Sequence, residues 1–385
     1  MQPRKVLVTG ASGFIGGRIV ERLALERMDG VRALVHKWSR AARVAKFPIE
    51  IAAGDILNAN DVAEAMNGVT HVVHCAFGDA REVIVDGTRT LLAAAQAAGV
   101  QRFVYVSTAE VYGAKPSGTI DEATPTPHSG RAYGDAKIDA ESLCREYQQR
   151  GISTTIVRPA IVYGPFSRSW TIGTAKRLQS GLWSEFEGYG DGLCNAVYVD
   201  DLVSAILLAA EHPAADGEVF NVNGAEVVTW NEYFRRLNAA MKLPPLVKKS
   251  AKQSARKTAV MGRVETVIRG VVRRFEDRLM EIYLRGGWAS NVMKRVKTML
   301  DSTPSQGELE DLYSRRALYS DEKARTLLGY RPKFDLDRGL AMSVLWMTRN
   351  GFIERPLAAE EDSAECDGLS ARCAHQNVQV VAASR

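Results

Sequence analysis

Along the first 160 residues, short runs of apolar, β-branched or aromatic residues alternate with longer stretches whose apolar positions recur at helical spacing. The runs Val6–Val8, Val31–Val35, Ile49–Ala53, His71–His74, Phe103–Val106 and Thr154–Val157 predict strands buried on both faces, as in a parallel sheet. Between them, Phe14–Glu26, Asp61–Met66, Glu82–Ala98 and Tyr133–Gln149 predict helices, the third stopped by Gly99. This alternation predicts an α/β doubly wound parallel sheet, a Rossmann fold, with right-handed crossovers and helices on both faces. Beyond about residue 165 the rhythm loosens. Asn195–Val199 and Glu218–Val222 predict two further strands around a helix at Asp201–Glu211, and a last helix is expected over Leu336–Arg349. Leu243–Thr258 reads as an irregular connection, and 357–385 as a mobile tail.

The expected organisation is a dinucleotide-binding unit over 1–165, rejoined by 195–225, with 166–194 and 226–356 forming a smaller, mostly helical substrate region. With 385 residues, 46% of them hydrophobic, and a net charge of +5, the chain is neither disordered nor short of core. Its longest apolar run, near Leu202–Ala210, is far below the roughly 18 residues a membrane span needs. Met1-Gln2-Pro3-Arg4 runs directly into the first strand, so no secretory leader is expected. Five cysteines without CxxC spacing point to a reduced, cytoplasmic protein.

Charge is unevenly placed. Residues 242–297 hold 15 Lys/Arg against 4 Asp/Glu, leaving the remainder of the chain net negative. Within 260–284 an apolar stripe faces arginines, the pattern of a basic amphipathic helix. It is read first as a cap over the substrate cleft, with peripheral contact to an acidic membrane surface as the alternative. Nucleic acid is not expected, because no aromatic platform is interleaved with the charges.

Candidate chemistry begins where Val6–Val8 opens into Thr9-Gly10-Ala11-Ser12-Gly13-Phe14-Ile15-Gly16 and a helix. Glycines at a strand–helix junction let the backbone approach a pyrophosphate, which the free N–H groups of the helix then meet. Gly10, Ser12, Gly13, Phe14, Ile15 and Gly16 are therefore candidate cofactor contacts. The end of the second strand, which meets the adenosine ribose, carries His36, Lys37 and Arg40 and no acid, favouring NADP over NAD. Asp55 and Ile56 after the third strand are candidates to frame the adenine. Tyr133 and Lys137, at i,i+4, share a helical face, so the ammonium, together with a positively charged oxidised nicotinamide, is expected to lower the phenol's pKa. Phe103–Val106 ends in Ser107-Thr108, hydroxyls at the sheet edge where open α/β folds bind ligands. His71 and His74 read as core residues, and no metal-ligand cluster is apparent.

With these motifs in this order, the chain resembles the NAD(P)-dependent epimerase/dehydratase group of the extended short-chain dehydrogenase/reductase superfamily. The resemblance runs over residues 4–225 and resumes near 320–350, carried also by Gly54-Asp55, Arg158–Pro165 and Val197-Tyr198-Val199-Asp200-Asp201. It implies that Tyr133 is the general acid/base, that Lys137 binds the nicotinamide ribose and tunes the tyrosine, and that Thr108 bonds the reacting oxygen. It adds Ala76, Ser107, Lys137 and Pro159 to the cofactor contacts. Glu110, Arg168, Arg177 and Asn195 become candidates to touch substrate, and a homodimer is expected. Asp200 and Asp201 read as helix caps. Where relatives that dehydrate sugars have Asp-Glu, this chain has Ala109-Glu110, which disfavours dehydration. The loop Cys75–Arg81 is short for nucleotide-sugar epimerases, and Ile84 stands where many relatives have Asn. The expected function is an NAD(P)-dependent epimerase or oxidoreductase acting on a hydroxyl of a nucleotide-linked sugar. One alternative is an NADP-dependent reductase or dehydrogenase of a hydrophobic alcohol or ketone, similar to 3-beta-hydroxysteroid dehydrogenase or dihydroflavonol reductase. The other is a cofactor-binding sensor or scaffold without turnover.

Overall fold

The computed structural model describes residues 4–28, 30–114, 116–254, 256, 258, 300 and 302–353. The basic stripe 260–284 and the tail 357–385 lie outside the described residues. Five strands and four helices build the first half: β1 (Val6–Thr9), α1 (Phe14–Leu25), β2 (Val31–Val35), β3 (Glu50–Ala53), α2 (Ala59–Ala65), β4 (His71–His74), α3 (Arg81–Ala97), β5 (Arg102–Val106) and α4 (Ala132–Gln149). The strands Thr154–Pro159 and Val219–Val222 complete a seven-stranded sheet. Across the sheet the order is Val219–Val222, Thr154–Pro159, β5, β4, β1, β2, β3, and every pair is parallel. This is the doubly wound α/β Rossmann fold the apolar rhythm predicts.

The inner strands are apolar at consecutive positions because both faces are covered. All four residues of β1 are buried. One face carries α1 and the helix Val199–Glu211, with Ile19, Val20, Leu202 and Ile206 in a single cluster. The other carries α2, α3 and α4, joined through Val62, Leu91, Leu92, Ala140 and Leu143. Strand order reverses between β1 and β4, so the crevice outside their C-terminal ends is the ligand position of such a sheet.

Two expectations are corrected. Asp200 and Asp201 do not cap the helix they open. The Asp200 carboxylate instead accepts from Arg18 (2.8 Å to Nη2) on α1. Asp201, 1% exposed, accepts from the backbone N–H groups of Lys333 (2.8 Å) and Phe334 (3.1 Å). Asp201 thus ties the C-terminal segment to the helix Val199–Glu211, and Asp200 ties that helix to α1. Nor is Leu243–Thr258 wholly irregular, since Val247–Lys249 pairs in parallel with Ser184–Phe186. A parallel pair Gly118–Ile120 with Ala317–Tyr319 likewise joins distant segments. No helix among the described residues is long and apolar enough to cross a membrane.

Candidate active site

The phosphate loop is pressed together by its glycines. Gly10 has φ +65°, and a Cβ there would lie 2.6 Å from the Cys75 carbonyl oxygen. A Cβ on Gly16 would lie 2.5 Å from the Gly10 carbonyl oxygen. Helix α1 starts at Phe14 with Gly13 before it and no side chain capping its first turn. The N–H groups of that turn are therefore available to a phosphate, as a dinucleotide cradle requires.

A buried relay fixes the loop to β4. The Thr9 hydroxyl accepts from the Cys75 and Ala76 N–H groups (both 3.2 Å) and lies 2.7 Å from His74 Nδ1. His74 Nε2 lies 3.0 Å from the Thr88 hydroxyl, which itself donates to the Ile84 carbonyl (2.6 Å). Thr88 must then accept from Nε2–H, and Nδ1 accepts from Thr9. Burial, aided by the Lys137 charge, holds this imidazole neutral by pulling its pKa down to about 3. His74 is thus a structural core residue, and Ala76 is set beside the loop.

At the end of β2, His36, Lys37 and Arg40 are all exposed. One residue missed in the sequence is Arg43. It is half-buried, donates to the Gly13 and Phe14 carbonyls (3.3 Å to the latter), and sits 3.7 Å over the Phe166 ring. No carboxylate among the described residues pairs with it, and burial pulls its pKa down to about 10. A half-buried cation beside the phosphate loop suits an anionic ligand. The Asp55 carboxylate accepts from Leu57 N–H (3.0 Å). The Ile56 side chain is buried in the core against Gly87 rather than open to an adenine.

Thr108, Tyr133 and Lys137 are brought together where β5 ends against α4. Lys137, 4% exposed, donates from Nζ to the Val106 carbonyl (2.9 Å) and lies 4.7 Å over the Tyr105 ring. Burial pulls its pKa down to about 8. Tyr133 is 38% exposed, yet the cavity walls around it desolvate the phenol and push it up to about 12, Glu110 adds to the rise, and Thr108 opposes it. The hydrogen bond of the Lys137 ammonium goes to a backbone carbonyl, and desolvation is the larger effect on the phenol. Ser107 is buried, with its hydroxyl donating to Glu141 (2.6 Å).

Tyr133, Thr108, Ser107 and Pro159 line one cavity of about 530 Å³, together with Phe14 and Ile15 from α1. Its remaining walls are largely apolar: Phe77, Ile161, Trp170, Leu193, Trp230 and Leu312. Phe77 meets the Tyr133 ring edge-on at 5.5 Å. Glu110 and Arg168 also line it. Glu110 accepts from Arg131 and Arg315, both at 3.4 Å. Arg168 is exposed and has no carboxylate partner among the described residues. Arg177 does not line the cavity, because it donates to Glu308 (2.6 Å) and lies 4.9 Å over Trp183. Asn195 forms part of the wall, but its amide is engaged: it donates to the Ala317 carbonyl (2.8 Å) and accepts from Asn223 (3.0 Å) and Tyr319 N–H (3.1 Å). It is a strut between segments. Phe77, Trp170, Trp230 and Arg315 went unnoticed in the sequence because nothing local distinguishes them from core residues. Among the described residues no group of three His, Cys, Asp or Glu is placed to hold a metal ion.

Known proteins are similar to this chain in sequence and in fold. A 3-beta-hydroxysteroid dehydrogenase of Mycolicibacterium neoaurum is 31% identical over 264 residues, covering 62% of this chain and 71% of that protein. A UDP-glucose 4-epimerase of Vibrio cholerae is 28% identical over 260 residues, covering 63% of this chain and 77% of that one. In fold, the crystal structure of a UDP-glucose 4-epimerase from Thermotoga maritima with UDP-glucose is similar with a TM-score of 0.66 at 23% identity, over 90% of this chain and 99% of that one. The family model described as NAD dependent epimerase/dehydratase matches residues 6–223, more than half of the sequence, and the chain belongs to that family.

Proposed function

We propose that the protein transfers hydride between a nicotinamide dinucleotide and a secondary alcohol or ketone carried on a largely apolar body. The observation that carries this reading is the cavity outside Tyr133, where Phe77, Ile161, Trp170, Leu193, Trp230 and Leu312 make most of the wall beside a few polar groups such as Glu110, Arg168 and Arg315. The relative named as a 3-beta-hydroxysteroid dehydrogenase supports it. The dinucleotide fits the glycine cradle and the uncapped first turn of α1. Exposed His36, Lys37 and Arg40, with half-buried Arg43, support NADP over NAD.

Bound there, the nicotinamide supplies the hydride acceptor or donor. Tyr133 exchanges a proton with the substrate oxygen, and Thr108 steadies the same oxygen by hydrogen bonding. Lys137 uses one of its three ammonium protons on the Val106 carbonyl, leaving two to bind ribose hydroxyls. The high phenol pKa makes Tyr133 a proton donor to a ketone in the free protein, and the reverse reaction requires added positive charge nearby.

Arg168, an exposed cation on the cavity wall, favours a second reading in which a phosphate of a nucleotide-linked sugar docks there and the outcome is epimerisation. The two readings separate in one panel: polycyclic and long-chain secondary alcohols and ketones beside UDP-, GDP- and dTDP-sugars, each with NAD and NADP. Stoichiometric change at the reduced-nicotinamide band with the apolar compounds is expected. Sugar isomers formed without net cofactor reduction would replace the first reading by the second, and no conversion of either class would favour a sensor without turnover.

A further inference from the structure

Helix α4 presents three side chains at i, i+4 and i+8 to three consecutive residues at the end of β5. Tyr133 lines the cavity beside Thr108, Lys137 donates to the Val106 carbonyl (2.9 Å), and Glu141 accepts from the Ser107 hydroxyl (2.6 Å). Such spacing puts all three on one helical face. Glu141 is 0% exposed, a costly place for a carboxylate unless it is fully partnered. It is. Besides Ser107 it accepts from Arg158 Nε (2.9 Å) and Nη2 (2.6 Å) and from Arg145 (3.0 Å). Arg158, 2% exposed, lies in the strand leading to Pro159 and also donates to the Tyr112 hydroxyl (2.8 Å), which donates on to Asn221 (2.7 Å). One carboxylate thus joins α4, the end of β5 and the strand Thr154–Pro159, the elements that carry Tyr133, Lys137, Thr108 and Pro159.

Lys137 is surrounded by His74 and Cys75 from the end of β4, Tyr105 from β5, and Cys144 and Glu141 from α4. His74 is neutral, and burial keeps the Cys75, Cys144 and Tyr105 protons on. Among these described neighbours Glu141, four residues on along the same helical face, is the one carboxyl group. We propose that Glu141 is a positioning residue of the site: it locks the end of β5 to α4 and supplies the negative charge that the Lys137 ammonium faces. The inference rests on Tyr133 and Lys137 being the proton-transfer pair.

The test needs no substrate. In protein labelled with 13Cε-lysine, with the signal assigned by Lys137→Arg, the titration midpoint of Lys137 is read in wild type, in Glu141→Gln, and in Glu141→Gln combined with Arg158→Met. The single variant leaves a buried guanidinium without its counter-ion and is the one that risks misfolding. The double variant removes the pair together and is expected to fold. Wild type should titrate near about 8, and the midpoint should fall by about one pH unit in Glu141→Gln and by about half that or more in the double variant. A folded double variant whose Lys137 midpoint stays at the wild-type value would overturn the proposal. Because the readout is independent of turnover, failure to find a substrate would count against the proposed function and leave this result standing.

Discussion

Replacing Gly16 by alanine puts a methyl carbon 2.5 Å from the Gly10 carbonyl oxygen, 2.8 Å from its carbon and 3.1 Å from the Thr9 oxygen. All three are backbone atoms, so no flexible side chain can swing aside. To reach an ordinary contact, α1 must retreat from β1 by about 0.7 Å or more, at an overpacking cost of about 1–3 kcal/mol. The same movement carries the first-turn N–H groups away from a bound pyrophosphate. Weakening one charge-assisted hydrogen bond there costs about 1.5–3 kcal/mol, or roughly 10- to 100-fold in Kd. Calorimetric titration of Gly16→Ala with NAD and NADP should therefore show that loss, beside a lowered Tm. The control is Gly99→Ala after α3, where φ is +67° but nothing lies within 4 Å. That change should cost about 1 kcal/mol of stability and leave cofactor affinity untouched. If Gly16→Ala binds both dinucleotides within twofold of wild type, the loop is not the cradle described here.

Other outcomes follow from single groups. His74 is neutral when folded, with a pKa of about 3 against 6.5 when free, so the unfolded chain takes up the proton first. Its contribution is whole above pH 6.5 and is lost as pH falls from there towards about 3, reaching a few kcal/mol at the bottom of the window. His74→Gln, whose amide can bond both Thr9 and Thr88, should lose less Tm between about pH 7 and about pH 4 than wild type does, and parallel curves would refute this. Arg43→Ala should weaken NADP about tenfold in equilibrium binding and NAD much less, whereas an equal effect on both would separate Arg43 from the 2′-phosphate.

Much of the sheet was legible because a strand buried on both faces must be apolar throughout. β2 and β4 begin and end where the apolar runs do. Gly118–Ile120 and Ala317–Tyr319 were not, since three-residue strands have no period to read and each finds its partner some two hundred residues away. The same distance effect hid the fates of Arg177 and Asn195. Both are polar residues in a plausible loop, and their partners, Glu308 and Ala317, lie more than a hundred residues onward. Tyr133, Lys137 and Thr108 could be found because local spacing and a strand end set them. Glu141 continues that spacing by one more turn, yet a glutamate on a helix ordinarily reads as a solvated residue, and only the sheet reveals Arg158 behind it.

The most direct measurement is single-turnover hydride transfer in Tyr133→Phe, followed at the reduced-nicotinamide band on folded protein whose cofactor Kd lies within about twofold of wild type. Loss of a positioned acid/base predicts a fall of roughly 100- to 10,000-fold in rate. Transfer at the wild-type rate in that cofactor-loaded variant would contradict the assignment of Tyr133 and the function built on it.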